Sequence, residues 1–126
     1  MQRGLRDALR EAALRSPIPV RVDAGGIGRY PPEVESAVYF CCMEAMQNAV
    51  KHGAGASLIT IAMARSEDGR LRFEVDDDGG GFDAAGTPSG AGLANMHDRL
   101  AAVGGGLTYR SQIGKGTQVV GVVPEP

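Results

Sequence analysis

Cysteine and histidine are scarce in this chain. Of 126 residues, two are cysteine, Cys41 and Cys42, and two are histidine, His52 and His97. No zinc cluster can be built from them at the usual ligand spacings. The cysteines are sequence neighbours, and neighbours on a helix diverge by about 100°, which argues against a bond between them. They read as two small buried apolar residues in a reducing compartment. Long apolar runs are absent too. Nothing approaches the ~20 residues of a membrane span, and no signal peptide is recognisable at the start. The expected location is therefore the cytoplasm, with no direct membrane contact by this domain. Excess charge of one sign is also missing. Thirteen basic and 15 acidic residues leave a net charge of −2, which argues against the basic face a nucleic-acid binder needs.

Glycine is plentiful: 19 of 126 residues, against a usual ~7%. The length fits one domain with its own core. Leu5, Leu9, Ala12 and Ala13 recur at helical spacing over residues 2–15. Ser16-Pro17 stops that helix, and a strand is expected over residues 18–22. Pro31-Pro32 opens a long helix expected to run to about Lys51 and to stop at Gly53. Residues 57–64 alternate as a strand, residues 66–69 form a hairpin turn, and residues 71–75 return. A glycine-rich loop follows over residues 76–92, then a helix over residues 93–103. A last hairpin joins residues 107–111 to residues 117–123 around Gly114-Lys115-Gly116. Hairpins mixed with helices predict an α+β fold, with helices on one face of a largely antiparallel sheet.

The long helix carries one polar line. With Glu44 at 0°, Asn48 falls at about 40°, Lys51 at about 340° and His52 at about 80°. Val38, Cys42, Ala45, Met46, Ala49 and Val50 fill an apolar arc. Read alone, the line is either a solvated face or a set of ligands. In the second reading, Glu44 and Asn48 offer hard oxygens suited to Mg2+, and Lys51 and His52 offer cations suited to phosphate.

Two glycine segments follow. In Asp76-Asp77-Asp78-Gly79-Gly80-Gly81-Phe82, three acids would repel a phosphate, and the Walker ending is missing. The segment is either a solvated acidic turn or a place where an acid meets a base amine while glycines let a flat ring approach the backbone. Gly90-Ala91-Gly92-Leu93 opens a helix, where unpaired N–H groups and the dipole favour phosphate. It fails as a dinucleotide fingerprint, because Asn95 stands at the last glycine position and no βαβ unit surrounds it.

Taken in order, Glu44 to His52, Asp77 to Phe82 and Gly90 to Leu100 resemble the ATP-binding domain of sensor histidine kinases. Gyrase, the heat-shock chaperone ATPases and the MutL mismatch-repair proteins share that superfamily. Lys51-His52 and the approach from Arg29 to Glu33 look most like the nitrate-sensor (NarL-partnered) subfamily. The resemblance spans essentially residues 1–126 as a single domain. It implies a two-layer α/β sandwich of the Bergerat type, with ATP and Mg2+ as cofactors. Asn48 would hold the metal, and Glu44 would assist it or act as base. Lys51 and His52 would touch phosphates, and Asp77 would accept from the adenine amine. Gly79 and Gly81 would keep that wall close to the ring. Gly90, Gly92 and Leu93 would border a lid over the phosphates, and Thr117 would lie near the adenine. The stretch from Phe82 to Gly90 is short, so residues 83–89 would form a small lid, mobile without ligand. The resemblance further implies phosphoryl transfer to a histidine on a dimerisation domain that this stretch does not include, with a response regulator as indirect partner. His97 would then be an exposed bystander. The alternatives are an anti-sigma-factor serine kinase of the same fold, or a non-catalytic ATP-sensing module.

Overall fold

A computed structural model of the chain describes residues 4–52, 55–80, 91–111 and 114–124. Along them run α1 (Leu5–Leu14), β1 (Val20–Asp23), α2 (Pro32–His52), β2 (Ile59–Arg65), β3 (Leu71–Asp77), α3 (Ala91–Ala101), β4 (Gly106–Ser111) and β5 (Thr117–Val123). The strands form one sheet in the order β1-β2-β3-β5-β4. β1 and β2 pair in parallel, and the other neighbours are antiparallel.

Alternation decides which face of the sheet is covered. Leu71, Phe73 and Val75 of β3 are buried, while Arg72 between them is exposed and Glu74 only half-buried. Ile59, Ile61 and Met63 of β2 repeat the pattern. The buried face meets Leu5 and Leu9 of α1, Val38, Cys42, Ala45 and Ala49 of α2, and Met96 and Leu100 of α3. The result is the expected α+β two-layer sandwich. At its centre Phe73 lies opposite Gly121 in the ladder. The phenylalanine ring fills the place a Cβ on residue 121 would occupy.

The long helix starts with Pro32, whose missing N–H is harmless in a first turn, and Glu33 and Glu35 complement the dipole there. Glu35 is only 1% exposed. Arg29 donates to it from Nε and Nη2, each at 3.0 Å, and the Tyr30 N–H adds a third bond at 3.3 Å. The fork-like pairing fixes the angle at which the chain enters α2. The Tyr30 hydroxyl donates to the Gly69 carbonyl at 2.9 Å, tying that entry to the β2–β3 turn.

Several element ends differ from the sequence reading. β2 begins at Ile59 rather than residue 57, because the Asp78 carboxylate takes the N–H groups of Ser57 and Leu58. β3 continues through Asp76 and Asp77, which pair with Gln118 and Thr117 instead of lying in a loop. α3 starts at Ala91 rather than Leu93, so Gly92 lies in its first turn. Val50, assigned to the apolar arc, is 43% exposed, whereas Cys41 and Cys42 are buried as expected, Cys41 under α3. Both cysteines are free. No helix among the described residues is long and apolar enough to cross a membrane.

Candidate functional site

Glu44 and Asn48, the first half of the polar line of α2, are roofed by α3. The two helices run antiparallel and are held at three levels. Arg99 stacks over the Phe40 ring, 4.5 Å from its centroid. The Cys41 thiol donates to the Met96 carbonyl at 3.5 Å. At the N-terminal end of α3, a Cβ on Gly92 would stand 3.1 Å from Glu44 Oε2 and 3.7 Å from both amide atoms of Asn48. A glycine at this position thus lets a helix start rest directly on two oxygen-bearing side chains. The unpaired N–H groups of that first turn carry the positive end of the dipole. Glu44 and Asn48 are both partly buried.

A second set of groups lies at the end of the sheet. Asp77, Thr117 and Ser111 face one another across β3, β5 and β4 by register. Asp77 Oδ1 accepts from the Gly79 N–H at 2.9 Å. Its Oδ2 has no hydrogen-bond partner among the described residues, and Asp77 lines a cleft of about 610 Å³. Ser111 Oγ and Thr117 Oγ1 share a hydrogen bond of 2.8 Å. Gly116 has φ +78°, and a Cβ there would collide with the Asp77 carbonyl oxygen. The turn before β5 can therefore close onto the end of β3 only with glycine at that position. Burial raises the Asp76 carboxyl, while a hydrogen bond from Gln118 opposes the shift.

Asp78 is bonded to the segment before β2. Its carboxylate accepts from the Ser57 N–H at 2.7 Å, the Ser57 hydroxyl at 2.5 Å and the Leu58 N–H at 3.0 Å. The hydroxyl bond, followed by the two amides, holds it down at about 2.

The structure thus brings Glu44, Asn48 and Gly92 together, with Leu93 next along the same turn. Separately, it brings together Asp77, Gly79 and Thr117. Lys51 is exposed and borders a different groove, between α1 and α2, with Met43, Met46 and Val50. His52 ends α2, but its side chain lies outside the described residues, as do Gly81, Gly90 and the expected lid over residues 83–89. His97 is exposed, beside Asp98. Sequence reasoning missed Ser111, Gly116 and Asp78. A signal existed for the first: Ser111 and Thr117 are polar at inward positions of alternating strands, where apolar residues would otherwise stand. Asp78 and Gly116 act through partners distant in sequence, which no local pattern discloses.

The class of protein follows from the comparisons: an ATPase domain of the kind found in histidine kinases. Residues 33–126 match the model of the histidine kinase-, DNA gyrase B- and HSP90-like ATPase family, and the chain belongs to that family. It is 36% identical over 102 residues to an uncharacterized sensor-like histidine kinase of Chloroflexus aurantiacus, covering 76% of this chain and 17% of that protein. It is 35% identical over 118 residues to the sensor histidine kinase MctS of Rhizobium johnstonii, covering 90% and 25%. The chain therefore spans a quarter or less of the length of these two curated relatives. Among solved structures, the blue-light activated histidine kinase of Erythrobacter litoralis EL346 superposes with a TM-score of 0.82 at 22% identity, covering 96% of this chain and 42% of that one. The mycobacterial sensor histidine kinase MprB superposes at 0.69 and 19%, covering 100% and 97%. At these identities the two structures establish the fold. Family membership implies ATP binding.

Proposed function

We propose that this domain binds Mg·ATP and passes the γ-phosphoryl group to a histidine on a separate helical dimerisation domain, in a two-component signalling kinase. The observation carrying this reading is the contact of the first turn of α3 with Glu44 and Asn48. It puts phosphate-binding N–H groups beside two hard oxygen donors. No group of three His, Cys, Asp or Glu able to hold a metal occurs among the described residues. Two neighbouring oxygens suit Mg2+, which takes one or two protein ligands and fills its shell with phosphate and water.

Mg2+ supplies neutralisation of phosphate charge when bound, and Asn48 with Glu44 would hold it. Phosphoryl transfer depends mainly on positioning and charge. In this reading Glu44 also accepts the proton of the attacking imidazole. N–H groups of the first turn, from Gly92 and Leu93 and the preceding Gly90, receive phosphate oxygens, with Lys51 and His52 adding positive charge from the end of α2. Asp77 Oδ2 accepts from the exocyclic amine of adenine, Gly79 and Gly81 keep that wall close to the ring, and Thr117 stands beside it. The response regulator then takes the phosphoryl group from the histidine, so it meets this domain only indirectly. Lys51-His52 and the Arg29-to-Glu33 approach favour the nitrate-sensor subfamily, and dependence on cellular ATP implies work in the cytoplasm.

Asn48→Ala tests the reading. Alanine suits a helix interior better than asparagine, so the fold should hold. Nucleotide titration with and without Mg2+ should then show that the metal no longer strengthens binding. Undiminished metal dependence would remove Asn48 from the site.

A further inference from the structure

The turn that follows β3 is stapled on three sides. Asp77 Oδ1 receives the Gly79 N–H at 2.9 Å. The Gly80 carbonyl accepts from the Gly114 N–H at 2.6 Å. Asp78 receives both amides and the hydroxyl of the Ser57-Leu58 segment. The last staple differs in kind from the others. Ser57 and Leu58 belong to the connection from α2 to β2, so this carboxylate joins the segment beyond the end of α2 to the residue next to Asp77. An exposed carboxylate that accepts three hydrogen bonds from one dipeptide is a preorganised tether.

We infer that Asp78 is a positioning residue, which tethers the Ser57-Leu58 segment to the end of β3 and thereby holds the Asp77 carboxylate in the orientation that reads the nucleotide base. The inference rests on the base-binding reading of Asp77. Asp78 itself is engaged with Ser57 and Leu58 and does not line the cleft. Its influence therefore passes through the backbone it shares with Asp77 and Gly79. Supporting residues of this kind typically alter binding by about tenfold when removed, because the group they orient must then be ordered on each encounter.

The tether predicts a ranked series. Asp78→Ala removes all three acceptor contacts. Asp78→Asn keeps an oxygen for the two amides, and its NH2 can donate to the Ser57 hydroxyl oxygen. Ser57→Ala removes only the hydroxyl contact. ADP and GDP titrations on the purified chain, beside thermal melts of each variant, supply the readouts. Asp78→Ala should weaken ADP by about tenfold and narrow the preference for ADP over GDP. Asp78→Asn should restore most of both, and Ser57→Ala should stay within about threefold of the parent. Hydrogen exchange at the Ser57 and Leu58 amides should rise in Asp78→Ala and return in Asp78→Asn. If Asp78→Ala lowers the melting temperature and speeds exchange while ADP affinity and base preference stay at the parent values, the residue only stabilises the fold and the inference is overturned. Failure of the base-binding reading looks different: the parent chain would bind ADP and GDP alike, and Asp77→Ala would change neither.

Discussion

Replacing Gly92 with alanine should separate stability from function. The position lies in the first turn of α3, at an ordinary helical backbone angle. Alanine is the better helix former, but in a first turn the advantage is smaller than mid-helix, no more than about 0.5 kcal/mol. For a domain of this size that is a rise of roughly 2 °C in melting temperature. The new methyl would stand 3.1 Å from Glu44 Oε2, tighter than ordinary van der Waals contact, and 3.7 Å from the Asn48 amide. Glu44 is a flexible side chain, so it yields by a few tenths of an ångström and the fold absorbs the change. The phosphate and metal groups do not absorb it, since the methyl occupies the approach between the helix N–H groups and the two oxygens. Loss of about tenfold in Mg·ADP affinity corresponds to ~1.4 kcal/mol. Calorimetric titration with and without Mg2+, next to a melting curve, gives both quantities. A variant that melts at or above the parent temperature and binds Mg·ADP as tightly as the parent would refute the placement of the phosphates beneath α3.

Three further outcomes follow from the same geometry. Asp77→Asn should weaken adenine nucleotides by roughly ten- to a hundredfold, since one charge-assisted hydrogen bond is lost; equal binding of ATP and GTP by the parent would show that Asp77 does not read the base. Gly121→Ala should destabilise by about 1–3 kcal/mol through overpacking against the Phe73 ring, read as a lower melting temperature; an unchanged melt would mean that the ring has room to move. The Asp78 carboxyl lies near 2 instead of its ordinary 3.8. Its contribution is thus complete above pH ~4 and disappears as pH falls through the folded value. The stability difference between the parent and Asp78→Asn should therefore be flat above pH ~4 and shrink between pH ~4 and ~2; a difference that grows on acidification would contradict the tether.

Local chemistry made much of the fold legible. Pro32 marked the start of α2, the Ser66–Gly69 turn marked the β2–β3 hairpin, and alternating residues marked the covered face of the sheet. Three ordered motifs disclosed the family. What stayed hidden was set by partners distant in sequence. Aspartate is a poor strand former, so β3 was expected to end before Asp76; pairing with Gln118 and Thr117 carries it two residues further. Val50 falls in the apolar arc of a helical wheel, yet it is 43% exposed. In the candidate site, Glu44, Asn48 and Asp77 drew notice because they sit in motifs, and the structure places the first two against Gly92 and the third beside Thr117. Gly116 was read as a turn residue, and its closeness to the Asp77 carbonyl comes from sheet geometry that no local period encodes.

The central claim is that this domain holds Mg·ATP while the phosphoryl acceptor lies elsewhere. Incubation of the purified chain with γ-labelled ATP, alone and with the dimerising domain of a cognate kinase, measures it directly. The account predicts no label on the chain alone, and acid-labile label on the histidine of the added domain that disappears with Asn48→Ala. Acid-labile label on this chain alone, lost in His97→Ala, would contradict it, and acid-stable label on a partner's serine would point instead to a serine kinase.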